Sequence, residues 1–280
     1  AALLEADRLE QDAARDFLHG LGLAAPDEAK RRKAFAVRWS DCERWGMEWN
    51  QQRISGTSPD VGKFPTVALG EAIDLVQYGT SEKANQDGNG LPVLRMNNVK
   101  AGLLDVSDLK HINLPPKVAQ GLLLKDGDIL VIRTNGSRDL VGTCAVFHEV
   151  GEYVFASYLI RLCVNASKLN PDFAAFFLNS ALGRSQVNAV SRQIMQNNIN
   201  SEELRGLRLP LPPLETQQTL VNAITAARQQ TAAKRAEAGS LKTRAAAEIE
   251  AAILGESSLN NRRGRLPDDF RFDRDEANTR

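Results

Sequence analysis

The chain has 280 residues, of which 42% are hydrophobic and 25% charged, and its formal net charge is zero. This composition is ordinary for a globular protein, while the neutral charge argues against a protein that holds DNA by bulk electrostatics. The three cysteines, Cys42, Cys144 and Cys163, are too widely spaced for a disulfide framework or a zinc site. No apolar run reaches the length of a membrane span, so we expect a cytoplasmic protein.

The first predicted element is an amphipathic helix over residues 2–19. Its apolar side chains recur at intervals of three and four residues between charged ones, and His19-Gly20 is typical of a helix end. Because no N-cap residue precedes Ala1, residues 1–20 are expected to be either the end of a longer helix or a helix trimmed at its start. Residues 21–33 are predicted to form a polar linker.

Short β-like runs between clusters of Gly, Asn, Asp and Pro predict an α/β (α+β) domain over residues 34–213. A helical hairpin interrupts the strands. Asn170 is its expected N-cap, Pro171 occupies the first helical position, and residues 183–190 extend it. The predicted strands lie at residues 35–39, 67–69, 93–96, 128–133, 143–147 and 158–164.

The proline-rich segment 210–214 cannot lie inside a helix or a central strand, so it marks a stiff exit from this domain. Residues 214–255 are then predicted to form one long coiled-coil helix, about 60 Å long at 1.5 Å per residue. A helix of this length with a narrow apolar seam needs a helical partner, either the first helix, a second copy of the chain or another subunit. Residues 256–280 are a polar tail. The seam includes Leu220, Ile224, Leu241, Ile249 and Ile253.

Three segments carry polar side chains at strand ends or in loops, and we predict that these side chains contact DNA. Arginine can pair bidentately with guanine, and asparagine or glutamine with adenine. For Asn97 and Asn98 an alternative stays open, because Asn tolerates turn conformations. Asn135-Gly136 predicts a hairpin turn, which is compatible with a contact to DNA. The amide-rich segment 196–200 is alternatively an ordinary solvated loop. The candidates are Arg95, Asn97, Asn98, Arg133, Thr134, Asn135, Ser137, Gln196, Asn197 and Asn198.

No motif predicts catalysis, a metal site or a cofactor. The chain lacks a dinucleotide-binding glycine motif, a P-loop and a nucleophile elbow. Its histidines, His19, His111 and His148, lie far apart, without acidic or cysteine neighbours at ligand spacing. The sequence at 170–173 matches the Asn-Pro-Pro-Tyr box of adenine methyltransferases only in part, and a helix N-terminus explains it better. We therefore expect a protein that is not an enzyme and binds no cofactor.

Taken in order along the chain, six segments resemble the specificity subunit of type I restriction-modification systems. The resemblance covers residues 34–254 and implies a target recognition domain that reads half of a bipartite sequence in double-stranded DNA. It also implies that the long helix is a spacer and that methyltransferase and endonuclease subunits supply the chemistry. Variable loops such as 81–90 and 105–119 would set the recognised bases. The resembling segments are 91–99, 127–137, 140–142, 156–161, 197–200 and 209–218.

Members of this family carry two such domains and two antiparallel spacer helices, whereas this chain has one complete domain and one complete spacer helix. It therefore resembles half of a full-length subunit, or a half-sized one that forms a homodimer through its helix and reads symmetric half-sites. The neutral charge fits if the methyltransferase subunits contribute phosphate contacts. The alternatives are the recognition domain of a fused type II restriction-methylation enzyme and a helical scaffold whose α/β domain binds protein.

Overall fold

A computed structural model of the chain describes residues 2–25, 62–100, 102–190, 192–193 and 197–254. The described helices are α1 (Ala2–Gly20), α2 (Pro116–Leu122), α3 (Pro171–Asn179), α4 (Ala181–Val190), α5 (Ser201–Arg205) and α6 (Leu214–Leu254). The described strands are β1 (Thr66–Ala68), β2 (Ile73–Tyr78), β3 (Leu91–Leu94), β4 (Val99–Lys100), β5 (Leu103–Leu104), β6 (Lys110–Ile112), β7 (Ile129–Ile132), β8 (Thr134–Asn135), β9 (Cys144–Val146), β10 (Val154–Phe155), β11 (Leu159–Val164), β12 (Arg192–Gln193), β13 (Asn197–Asn198) and β14 (Arg208–Pro210).

The chain divides into two compact units. The α/β unit consists of Leu9–Arg228, and the helical unit consists of Ala1–Arg8 together with Gln229–Arg280. Helices α1 and α6 each contribute one part to each unit.

The α/β unit is built around an antiparallel sheet with the strand order β2-β11-β7-β9. All four residues of β7 are buried, and alternate side chains enter two different hydrophobic clusters. Ile129 and Val131 join the cluster that contains the α3–α4 hairpin, while Leu130 and Ile132 join the one that contains β3, β6 and β10. A strand covered on both faces needs a continuous apolar run, and this is the pattern of the sequence at 129–132.

Two amide side chains attach the helical hairpin to the edges of sheets. The Asn179 amide donates to the carbonyl of Cys144 at 2.8 Å and accepts from its N–H at 3.1 Å, at the edge strand β9. The Gln186 amide pairs in the same way with the backbone of Arg208 in β14, with both distances 2.8 Å. Each amide satisfies backbone groups that an edge strand would otherwise expose.

The buried side chain of Gln217 fixes the start of the long helix α6. Its amide donates to the carbonyls of Lys168 and Pro212 and accepts from the N–H of Asn170, at 2.8–2.9 Å. Asn170 is the N-cap of α3, and its side chain accepts from the N–H of Phe173. These bonds connect the first turn of α6 to the start of the hairpin.

The seam of α6 has different surroundings along its length. In the α/β unit, Leu220 and Ile224 pack against the cluster that includes Phe17 of α1. In the helical unit, Lys234 and Arg235 form ion pairs with Glu5 and Asp7 at 3.4 and 3.0 Å. All side chains at 241–250 are exposed, including the seam residues Leu241 and Ile249, and the side chain of Ile253 lies outside the described part. None of the described helices is long and apolar enough to cross a membrane.

The predicted fold class is confirmed: an α/β domain with short strands and a helical hairpin is joined to a long C-terminal helix. The sequence missed β2, whose polar residues at Asp74 and Gln77 hide its strand pattern. Leu21 and Leu23, placed at the start of a polar linker, are buried in the core. The predicted strand 35–39 and the polar tail lie outside the described residues.

The strands around Asn135-Gly136 do form a hairpin, but their connection is longer than a two-residue turn. β7 pairs with β9 through the connection 133–143, and β8 leaves this pair to join β13. The segment 105–119 is not one loop, since it contains β6 and the start of α2. In both segments, pairing with residues distant in sequence overrides the local turn signal.

Candidate nucleic-acid interface

The structure brings the three predicted polar segments together. β13 pairs antiparallel with β8, which places Asn197 opposite Asn135 and Asn198 opposite Thr134, and β12 completes this small sheet. The Asn135 amide reaches the sulfur of Met96 at 3.5 Å, so the 3₁₀ turn after β3 touches the sheet. We call these side chains the polar cluster; its members are Arg95, Asn97, Arg133, Thr134, Asn135, Ser137 and Asn198.

Arg133 lies where β7 ends, and its backbone is held from both sides. Its N–H donates to the carbonyl of Tyr158, and its carbonyl accepts from the N–H of Ile199, both at 2.9 Å. The guanidinium lies over the ring of Tyr78, with Cζ 4.8 Å from the ring centroid. Such a cation–π contact stabilises the charge but uses none of the five guanidinium donors.

Three atoms of the polar cluster are buried without a hydrogen-bond partner among the described residues: Nε of Arg95, Nε of Arg133 and Oδ1 of Asn198. Leaving a buried polar group unpaired costs about 1–3 kcal/mol. Arg95 also forms an ion pair with Asp108 at 3.4 Å, so its charge is partly balanced. Unpaired buried atoms also occur outside the cluster, for example Nε of Arg161, so the meeting of three polar segments is what distinguishes this surface.

The side chain of Asn98 is buried and hydrogen-bonded within the domain. It is 3% exposed, its amide donates to the carbonyls of Asp105 and Asp108, and its Oδ1 accepts from the N–H of Arg95. All three bonds are 2.8–3.0 Å long, and they close the turn that follows β3. The turn interpretation therefore describes Asn98, whereas the neighbouring Asn97 is exposed.

The remaining candidates differ in how freely they present their polar groups. Ser137 is exposed, but its backbone N–H donates to Oδ1 of Asn135 at 2.9 Å, so Asn135 both closes a local turn and faces Met96. Asn197 is described only through its backbone pairing, and Gln196 lies outside the described residues.

Sequence reasoning missed two aromatic residues beside Arg133. Tyr78 is 40% exposed and Tyr158 52% exposed. The register places Tyr78 and Val131 on either side of Ile160, so Tyr78, Arg133 and Tyr158 lie on the same face of the sheet. The chain has only three tyrosines, and Tyr158 belongs to one of the resembling segments; Tyr78 belongs to the strand that the sequence did not reveal.

A second arginine of the same sheet has its charge balanced internally. Arg161 forms an ion pair with Asp128 at 2.6 Å, and the two side chains are 7% and 6% exposed. Asp128 also accepts from the N–H of Lys125 at 2.6 Å and from the thiol of Cys163 at 3.0 Å. Burial and the neighbouring carboxylate raise the pKa of Cys163 to about 11, so this thiol stays protonated at neutral pH.

His148 does have acidic neighbours in space, although the sequence showed none at ligand spacing. Its ring nitrogens lie 2.7 Å from Asp126 and 3.2 Å from Asp172. Partial burial lowers its pKa, but the hydrogen bonds and charges of the two carboxylates outweigh this effect and raise the pKa overall. Within the described ranges, no group of three or more His, Cys, Asp or Glu residues could hold a metal ion.

The fold of this chain occurs in a solved structure from a study of complex assembly and conformational transition of the type I R-M system. That structure matches 85% of this chain and 51% of its own, with a TM-score of 0.50 and 21% identity. The family model of the type I restriction modification DNA specificity domain matches residues 63–241, and the chain belongs to this family.

Two curated relatives are also similar to this chain in sequence. The chain is 31% identical over 148 residues to the type I restriction enzyme StySPI specificity subunit of Salmonella potsdam, a match that covers 52% of this chain and 32% of that protein. It is 28% identical over 168 residues to the type I restriction enzyme EcoKI specificity subunit of Escherichia coli (strain K12), covering 59% and 36%. The chain thus spans about a third of the length of the curated relatives it matches.

Proposed function

We propose that this chain is a non-catalytic, sequence-specific DNA-recognition subunit of a type I restriction-modification complex and that it reads one half-site of a bipartite target. The polar cluster carries this proposal. It unites three segments with the side chains suited to base edges, and three of its buried polar atoms have no partner among the described residues. Membership of the specificity-domain family supports the same function.

We infer different parts for the cluster residues from their local environments. Arg133 and Arg95 are the candidates for guanine, while Asn97 and Asn198 can offer an amide to adenine. Thr134, Asn135 and Ser137 lie at the edge of the same surface and suit sugar or phosphate contacts. Gln196 and Asn197 remain part of the proposed interface, and Asn98 shapes the turn that presents Asn97.

The neutral charge of the chain has a consequence for affinity. Phosphate neutralisation supplies most of the nonspecific affinity for DNA, and a chain with zero net charge contributes little of it. The methyltransferase subunits therefore supply phosphate contacts in the proposed complex, the endonuclease subunit completes it, and the assembly is cytoplasmic. Isolated binding is weak in this proposal and falls further with salt.

Helix α6 serves in this proposal as the spacer and the docking helix. The exposed apolar residues Leu241 and Ile249 lie where α6 has only exposed side chains, so they suit a helical partner. A second copy of the chain and a methyltransferase subunit are the proposed partners for this stretch. Sedimentation of the chain alone, compared with Leu241→Asp, distinguishes these two partners. If the chain forms a homodimer, the measured mass is that of two chains, and the substitution reduces it to that of one chain.

Selection from a randomised duplex pool tests the proposed function, with the chain alone and with the methyltransferase subunit encoded beside it. We expect sequencing of the bound fraction to show a split motif only when both proteins are present. Arg133→Ala or Asn97→Ala should lose about 1–3 kcal/mol of discrimination at one base pair and keep the fold. Lys125→Ala, which removes an exposed positive charge outside the cluster, is the matched control.

Two other outcomes contradict the proposal. Binding without enrichment, or no binding in either condition, favours the scaffold alternative, for which the neutral charge is the supporting observation. A longer reading frame that contains a methyltransferase box favours the fused restriction-methylation enzyme instead.

A further inference from the structure

The geometry around Arg133 points to a second residue that governs base recognition. We propose that Tyr78 is a positioning residue that holds the Arg133 guanidinium in one plane, and that Arg133 thereby reads a guanine in the half-site. This inference rests on the proposed DNA-reading function and names the base class that one of its residues recognises.

The sheet register accounts for the contact between these two residues. Tyr78 of β2 lies opposite Ile160 of β11, which in turn lies opposite Val131 of β7. Arg133 follows Val131 by two positions, so its side chain leaves the same face and crosses β11 to reach the ring of Tyr78. The result is the 4.8 Å contact between the guanidinium carbon and the ring centroid.

The tyrosine ring is itself fixed in place. Its hydroxyl oxygen accepts from the N–H of Ser201 at 3.1 Å, at the start of α5. Asn200 and Glu203 form a reciprocal capping box there, with bonds of 2.8 and 2.9 Å. The ring is thus anchored by its strand at one end and by a capped helix at the other. A fixed platform lowers the entropy that the arginine loses on binding.

The guanidinium N–H groups of Arg133 that make no hydrogen bond within the described residues indicate which ligand this side chain could bind. Arg161 uses its terminal donors on Asp128 and on Oε1 of Gln77, whereas Arg133 has only the ring contact for its side chain among the described residues. Nε is buried without a partner in both arginines, so the terminal donors make the difference. A guanidinium stacked through its face keeps its edge available, and this edge matches O6 and N7 of guanine in a bidentate contact. A phosphate can accept the same bidentate contact, but the position of Arg133 beside Asn135 and Asn198, whose amides suit base edges, favours a base.

The side chains around Arg133 are of the kinds that bind the edges of DNA bases. Thr134 and Asn135 follow Arg133 directly in β8, and Asn198, with its buried unpaired Oδ1, lies opposite Thr134. Tyr158 is opposite Arg133 at the end of β11, and its exposed ring adds an apolar flank to the site. Stacked aromatic, guanidinium and amide groups are therefore adjacent on one surface.

The test repeats the pool selection, with the full chain and the neighbouring methyltransferase subunit, for substituted proteins. Tyr78→Leu and Arg133→Lys should each reduce the preference for guanine at one and the same position, on the order of tenfold or more. Tyr78→Phe keeps the ring but loses the bond from Ser201, so it should keep most of that preference and lose less than Tyr78→Leu. Leu75→Ala, at an exposed position of the same strand, is the matched control. Tyr78→Val, with a residue that favours strands, is the second variant if Tyr78→Leu does not fold.

The double variant Tyr78→Leu/Arg133→Lys separates positioning from direct contact. If Tyr78 acts through Arg133, the double variant loses no more guanine preference than either single variant. Additive losses, or an unchanged preference in folded Tyr78→Leu, overturn the inference. So does a loss of affinity that is uniform across sequences with a smaller salt slope, which would mark a phosphate contact. If the unsubstituted complex enriches no sequence, the proposed function fails and this inference fails with it.

Discussion

Two arginines of the central sheet have opposite surroundings, although their strands are neighbours. Arg161 is buried and paired with Asp128, whose carboxylate also accepts from the N–H of Lys125 and the thiol of Cys163. Arg133 is partly exposed and stacks on Tyr78. Nε is buried without a hydrogen-bond partner among the described residues in both arginines, so the difference between them lies in their terminal donors. A charge whose partners lie within the domain contributes to the fold, whereas a charge with unused donors at a surface is suited to bind a ligand.

The largest effect is expected at the buried pair. Asp128→Ala leaves the Arg161 charge buried and unpaired, and the free energy of unfolding should fall by about 3–5 kcal/mol. Urea unfolding measures this change. If the loss were below about 1 kcal/mol, the pair would lie in contact with solvent and the contrast with Arg133 would disappear.

A smaller effect is expected at His148, which is half-exposed and lies between two carboxylates. Because its pKa is raised in the folded state, its contribution to stability is complete below the unfolded pKa of about 6.5. This contribution is lost as the pH rises through the folded pKa. His148→Gln should therefore destabilise the protein at pH 5.5, by less than about 1 kcal/mol after solvent screening, and have less effect at pH 8.5.

Unfolding curves across this pH range, compared with those of the unsubstituted protein, measure the His148 contribution. His111→Gln is the matched control. A difference that grew with increasing pH would contradict the assignment, since it would mean that the neutral imidazole is the form that the fold stabilises.

The smallest change in stability is expected at Arg133. Arg133→Met removes a charge whose side-chain donors have no partner in the described part of the chain, so the free energy of unfolding should change by no more than about 0.5 kcal/mol. Thermal unfolding checks this prediction. A loss above about 1 kcal/mol would show that Arg133 holds the fold together, and the distinction between the two arginines would no longer separate structure from binding.

Local patterns in the sequence were sufficient for several elements. The spacing of apolar residues and the end signal at Gly20 predicted α1, and Asn170 with Pro171 predicted the start of α3. The proline segment and the alanine-rich run after it predicted α6. Helices depend on contacts three and four residues apart, so their signals lie within a short window.

The candidate site was predictable only in part. The sequence identified Arg133 and Asn97 by residue type and by their position after apolar strands. It could not separate Asn98 from Asn97, because only the fold shows that the Asn98 amide bonds to the carbonyls of Asp105 and Asp108. Tyr78 stayed hidden since β2 shows no clean alternation.

The amino-acid sequence by itself determined α1, the α3–α4 hairpin, α6, the buried strand at 129–132 and the polar segments, because each of these is specified by neighbours along the chain. Only the tertiary structure decided that β8 pairs with β13, that the Met96 turn joins them and that the Arg133 guanidinium lies on the ring of Tyr78. These contacts join residues far apart in sequence. Their formation depends on how the whole core closes, which no local pattern encodes.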